Sequence, residues 1–241
     1  MLEHLFMPMD RHLDDGFGAV ADAFREVADR LVITKTEDTM PFGNGHLPIN
    51  FLYRHAIELY LKSMIMVVHR RLKLPTGEGP HQPNPKVQVG RQWKEIYQVH
   101  GILDLFRFFK SLVQGQSTNL RAIAKNDWSD VPAELESWIE TIDKADSGST
   151  FFRYPMTKDS EGDAEKSSYK EVSREDVSAR LQTGGMPGKV YLLVKDDDEN
   201  IVASYGLDHD PLPEVRDALT KSAELLNAMQ CGMYVEVARG L

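Results

Sequence analysis

A chain of 241 residues with 41% hydrophobic and 9% aromatic content is long enough to bury one sizeable core, and a net charge of −9 excludes loose, whole-surface binding to nucleic acid. No run reaches the roughly 18 uninterrupted apolar residues that a membrane span needs; residues 56–68 come closest, and Glu58, Lys62 and Ser63 interrupt them. The single cysteine, Cys231, cannot form an internal disulfide, and the first residues lack a basic start followed by an apolar core, so a reducing, cytoplasmic setting without membrane attachment is expected.

The first predicted helix covers residues 10–33, where Val20, Ala21, Phe24, Val27, Ala28, Leu31 and Val32 recur at helical spacing, with Gly16 and Gly18 weakening its start. Pro41, Gly43, Gly45 and Pro48 break the chain before a second helix over residues 47–71. This helix is apolar around most of its circumference, which predicts burial. One stripe of it is charged: Arg54, Glu58 and Lys62 follow at i, i+4, i+8, with His55 beside them. Buried charges must be paired or line a cleft. The stripe is therefore either a salt-bridge ladder or a functional surface.

The following stretch, PTGEGPHQPNPKVQVG, reads as a loop. A third helix is predicted over residues 92–113, with His100, Asp104 and Arg107 at i, i+4, i+7 on its polar side. Shorter helices are expected over residues 119–125 and 132–144, and a further short one over 173–181. Residues 145–188 are polar and rich in Gly and Ser. Two β-rich runs, 189–194 and 201–205, flank Asp-Asp-Asp-Glu-Asn and predict a β-hairpin. A last helix is expected over residues 212–237. The predicted organisation is a helical domain over 1–184, with the hairpin and final helix, 185–241, packed on the same domain.

Charge is unevenly placed. Residues 51–125 carry twelve Lys or Arg and four acids. Such a segment is either a footprint for an anionic partner or is neutralised by the acidic remainder in the fold. No phosphate-binding Gly loop, Gly-x-Ser-x-Gly elbow or His-x-x-x-His pair occurs, so neither a cofactor nor a metal is expected, and Asp196-Asp197-Asp198-Glu199 reads as a solvated hairpin tip. The chemistry on offer lies in the two polar stripes. If they face each other, two histidines and two carboxylates meet between the helices. A histidine moves protons and an arginine holds phosphate, the ingredients of metal-independent RNA cleavage. Inter-helix salt bridging is the plain alternative, favoured for Glu58 and Lys62 by their stabilising Glu-to-Lys i, i+4 order.

Three elements in order resemble a bacterial branch of the HEPN-like helical superfamily. Arg54, His55, Glu58, Leu59, Leu61 and Lys62 match an Arg-His-x-x-Glu-Leu-x-Leu-Lys helix. His100 and Leu103 approximate a following His-x-Leu helix, with Gly101-Ile102 where Asp-Leu is commoner. Phe152, Arg153, Tyr154, Pro155 and Asp159 match a Phe-Arg-Tyr-Pro segment with a following Asp. The match spans roughly residues 20–160. The resemblance implies an up-and-down helical bundle that often forms homodimers. It also implies toxin–antitoxin and antiviral defence systems, in which RNA, a nucleotide or a partner protein encoded nearby is bound. Many HEPN proteins are ribonucleases whose signature is Arg, four to six residues, then His. No arginine here stands five to seven positions before a histidine, so binding without robust catalysis is the expectation. A toxin-type ribonuclease with a variant site and a structural interaction module remain beside it. Catalytic candidates are His55, His100 and Arg54; binding candidates are Glu58, Lys62, Asp104, Arg107, Arg153 and Tyr154.

Overall fold

The computed structural model describes residues 8–35, 43–76, 82–173, 175, 177 and 190–238. Helix α1 (Phe17–Ile33) starts seven residues later than its periodicity suggests. Gly16 takes a left-handed backbone with φ of 79°, and Asp14 accepts from the amides of Gly16 and Gly18 at 3.1 and 2.8 Å. That carboxylate satisfies amides that the first turn leaves open. Gly18 is also required by packing, because a Cβ there would run into the Gln230 amide group.

Helix α2 (His46–Leu72) is the axis of the fold. Every residue over 56–69 is buried. Its last turn holds His69, Arg70 and Arg71, whose charge complements the carbonyl end of the helix dipole. Lys73 then ends it in the left-handed region at φ 50°.

Residues 86–101 differ from the expectation of a loop followed by a helix from residue 92. Strands β1 (Lys86–Val89) and β2 (Gln92–Glu95) form an antiparallel hairpin, with Val87 opposite Lys94 and Val89 opposite Gln92. Gly90, at φ 60°, makes the turn. Trp93, Ile96 and Tyr97 happen to fall at i, i+3, i+4, which mimics a helix. The helix α3 (Ile102–Gly115) begins only after an extended Gly101. His100 therefore precedes the helix and does not share a helical stripe with Asp104 and Arg107.

Beyond α3 come α4 (Ser117–Arg121), α5 (Ala133–Asp146) and α6 (Ser160–Lys166), the last of which the sequence reading did not anticipate. Strand β3 (Tyr169–Glu171) pairs with β5 (Ile201–Leu207), which pairs with β4 (Tyr191–Lys195), all antiparallel. The expected hairpin is thus the β4–β5 part of a three-stranded sheet, and β3 joins it from before residue 184. Most of the short helix expected over 173–181 lies outside the described residues. Helix α7 (Pro213–Met233) continues into a π-helical turn, Tyr234–Ala238. There Glu236 accepts from Asn126 N, Asn126 Nδ2 and Trp128 Nε1.

The molecule is mainly α. Helix α2 packs against α1, α3 and α7, while α5 packs against α3 and α7. The core fills the space between them, with Tyr53, Tyr60, Phe106 and Phe109 among its largest buried side chains. No described helix is long and apolar enough to cross a membrane.

Candidate functional site

The charged stripe of α2 extends further than Arg54–Lys62. His46, Asn50, Arg54, Glu58 and Lys62 follow one another at four-residue steps, and all five are buried. The interior of the stripe is a closed ionic network. Arg54 is fully buried, and its Nη1 donates to Glu58 Oε2 at 2.9 Å. Its Nη2 donates to the His100 carbonyl at 2.7 Å. Its Nε lies 3.1 Å from Asp146 Oδ2, an ion pair without hydrogen-bond alignment. Lys62 Nζ donates to Glu58 Oε1 at 2.8 Å. His100 Nδ1 lies 3.0 Å from the same oxygen; a carboxylate only accepts, so this nitrogen carries the hydrogen. Burial pushes the Glu58 carboxyl up, but Lys62, His100 and Arg54 outweigh it and hold the group below the usual carboxylate range.

Of the sequence-predicted residues, Arg54, Glu58, Lys62 and His100 come together, as the opposed polar groups required. His55 does not join them. Its ring stacks on Phe51 with centroids 5.8 Å apart and meets the edge of Phe24 at 4.6 Å. Nδ1 of that ring has no hydrogen-bond partner among the described residues. Burial lowers the His55 pKa; Glu58 opposes this, and Lys62, Arg54 and Arg153 add to it. Asp104 and Arg107 also stay outside the network, on the first turns of α3. They face Asp143 of α5, whose carboxyl is raised by burial and then by the charge of Asp104. The second carboxylate on Arg54 is Asp146, not Asp104.

Asp146, at the end of α5, was not anticipated as a site residue. Its Oδ1 accepts from the amides of Thr150 and Phe151 at 2.7 and 3.1 Å. One carboxylate thus ties the α2 arginine to the start of Phe-Phe-Arg-Tyr-Pro. Lys166, nearly fully buried, holds the same turn from the other side. Its Nζ donates to the carbonyls of Phe151 and Tyr154 at 3.0 and 2.9 Å, and to Asp163 Oδ1 at 2.6 Å. His46 Nε2 lies 2.8 Å from the Lys166 carbonyl, joining the turn to the first residue of α2. Residues 151–153 form a turn, with Tyr154 N donating to Thr150 O at 3.0 Å, although a residue before proline, such as Tyr154, is biased toward extended backbone. Phe151 and Phe152 are buried and anchor it.

Arg153 and Tyr154 face out. The Arg153 guanidinium lies over the Phe51 ring, 5.5 Å from its centroid, and reaches Ser149 Oγ at 3.5 Å. These residues border a groove of about 410 Å³ walled by Leu47, Pro48, Phe51 and Pro155. A second groove of about 350 Å³, with Met156, Ser160 and Ser167, shares Asn44, Leu47 and Pro155 with the first.

No family model, curated protein or solved structure matches the chain.

Half of the basic segment is ion-paired among the described residues. Six of the twelve bases over 51–125 are ion-paired: Arg54 and Lys62 as above, Arg70 to Asp15, Lys86 to Glu95, Lys110 to Glu136, and Arg121 to Asp127. Four of these bases meet acids from outside the segment, which favours neutralisation over an extended anionic footprint. Among the described residues no group of three or more His, Cys, Asp or Glu is arranged to hold a metal ion.

Proposed function

We propose that the chain is a HEPN-like binding protein of a bacterial defence or stress system, working without robust catalysis. One observation supports the absence of robust catalysis. Both terminal nitrogens of the fully buried Arg54 donate within the fold, to Glu58 and to the His100 carbonyl, and its Nε lies 3.1 Å from Asp146. Metal-independent RNA cleavage needs a cation at the phosphate and a proton-transfer group near the reacting oxygen. Arg54 is not available as that cation, and His55 is packed between two phenylalanines. Among the described residues, the grooved surface around Arg153 and Tyr154 is open to a ligand. Ile33, 78% exposed, and Val27, 47% exposed, leave α1 with apolar surface for a homodimer contact, and light scattering tests that part of the reading.

The Glu58–His100 pair favours a second reading. A buried carboxylate fixing Nδ1 of a ring that is 55% exposed is a proton-transfer arrangement, so a ribonuclease using His100 is the rival. Purified protein incubated with cellular RNA separates the two. No cleavage above background, with or without chelator, is expected. Cleavage that survives a chelator and disappears in His100→Ala would replace binding by catalysis.

A further inference from the structure

Two buried charged side chains of unlike sign hold a single surface turn. Asp146, 2% exposed, accepts the amides of Thr150 and Phe151, and Lys166, also 2% exposed, donates to the carbonyls of Phe151 and Tyr154. The two phenylalanines of this turn are buried and anchor it on the core, and the charged side chains add hydrogen bonds to its backbone. The extra bonds fix the backbone of Arg153 and Tyr154, whose side chains point outward. Preorganisation of this kind lowers the ordering penalty on binding.

The chemistry of the rim selects the ligand. Among the described residues Arg153 makes no ion pair; its guanidinium lies over the Phe51 ring and within 3.5 Å of Ser149 Oγ, in a chain of net charge −9. A guanidinium resting on a ring, with no carboxylate on it among the described residues, offers two parallel donors to a phosphate. Tyr154 is 49% exposed beside the flat apolar walls of Pro48 and Pro155, a surface suited to one planar ring. The groove volume lies within the range of small-molecule sites. A single cation in an acidic chain suits one phosphate rather than a polyanion tract.

We infer that the Phe51–Arg153–Tyr154 groove binds one nucleoside monophosphate unit, with the phosphate on Arg153 and the base against Tyr154, either free or as the terminal residue of an RNA. This deepens the binding reading above and rests on it. The Ser160 and Ser167 hydroxyls of the adjoining groove, reached across Pro155, stand where a sugar or a second residue would lie.

Calorimetric titration of the full chain tests it, with AMP, UMP, adenosine, inorganic phosphate, a 5′-phosphorylated trinucleotide and an acidic aromatic dipeptide as probes. AMP or UMP is expected to bind at least about tenfold more tightly than adenosine or phosphate alone, the factor that one charge-assisted hydrogen bond supplies. Arg153→Ala should weaken binding by about tenfold or more, and Arg153→Lys should restore only part of it. Tyr154→Ala should weaken the nucleotides and leave phosphate unchanged. A trinucleotide tighter than AMP assigns the site to RNA ends, and the reverse assigns it to free nucleotide; both support the inference. No nucleotide binding up to about 5 mM would overturn it, that concentration corresponding to a free energy of only about −3 kcal/mol. Binding unchanged in Arg153→Ala, or tighter binding of the dipeptide, would overturn it too. RNA cleavage accompanied by Arg153-dependent AMP binding would defeat the non-catalytic reading and leave the groove assignment standing.

Discussion

Arg54 and Arg153 belong to two elements of one resemblance, yet the fold treats them oppositely. Arg54 is enclosed and ion-paired to two carboxylates; Arg153 lies on a phenylalanine at the surface, with no ion pair among the described residues. An arginine that stabilises a core is recognised by having its charge met by buried carboxylates and its terminal nitrogens bonded internally. One that awaits a ligand is held by its hydrocarbon and ring contacts, with its donors left over. Asp146 stands between the two regions, one oxygen on each.

Glu58→Ala should give the largest effect. It leaves Arg54 and Lys62 buried without their shared carboxylate, a change that costs about 3–5 kcal/mol when a buried pair is broken. Denaturant unfolding measures it, and a loss below about 1 kcal/mol would assign the stripe to the exposed class of ion pairs. Asp146→Ala should come next, at about 2–3 kcal/mol, because Arg54 keeps two other acceptors while two amides lose a charged one. Faster hydrogen exchange at Thr150 and Phe151 should accompany it. Unchanged exchange there would sever the proposed link between network and groove.

Acid should then separate the regions by pH. The His55 pKa is lowered in the fold, chiefly by burial, from an ordinary value of 6.5. The unfolded chain therefore binds the proton first, and stability falls as pH drops below about 6.5 toward the folded value. Glu58, held low, adds its own loss only at more acid pH, below its ordinary value of 4.5. Thermal melts across this range should show the first step in the parent chain and not in His55→Phe, which keeps the aromatic packing. A first step that persists in the variant would assign it to another histidine. The smallest stability effect belongs to Arg153→Ala, below about 0.5 kcal/mol, as for ordinary surface changes. A larger loss would make Arg153 a structural residue like Arg54.

Much of the α2 region was legible because its information is local. Four-residue spacing puts Arg54, Glu58 and Lys62 on one face, and the surrounding apolar residues demand that they be paired. Asn50 and His46 continue that face but lie outside the Asp, Glu, Lys and Arg set that marks a charged stripe. The β1–β2 hairpin was misread because three apolar residues imitate helical spacing, and only the strand pairing through Gly90 decides the matter. Asp146 and Lys166 were illegible as partners: one sits at a helix end and one in a polar stretch, and their acceptors and donors are backbone atoms of a turn that no side-chain pattern encodes. An Asp just ahead of Ser147-Gly148 was the one available hint, since such carboxylates often receive nearby amides.

Helix α2 draws its cover from both ends of the chain: α1 precedes it and α7 is the last helix described. During synthesis its apolar circumference emerges well before α7 exists. An all-round apolar helix without its neighbours is an aggregation hazard, and contacts so distant in sequence form slowly. Glu58 and Lys62 interrupt the greasiest stretch of the nascent chain, so the charges that lock the finished core also act as gatekeepers before there is a core to lock.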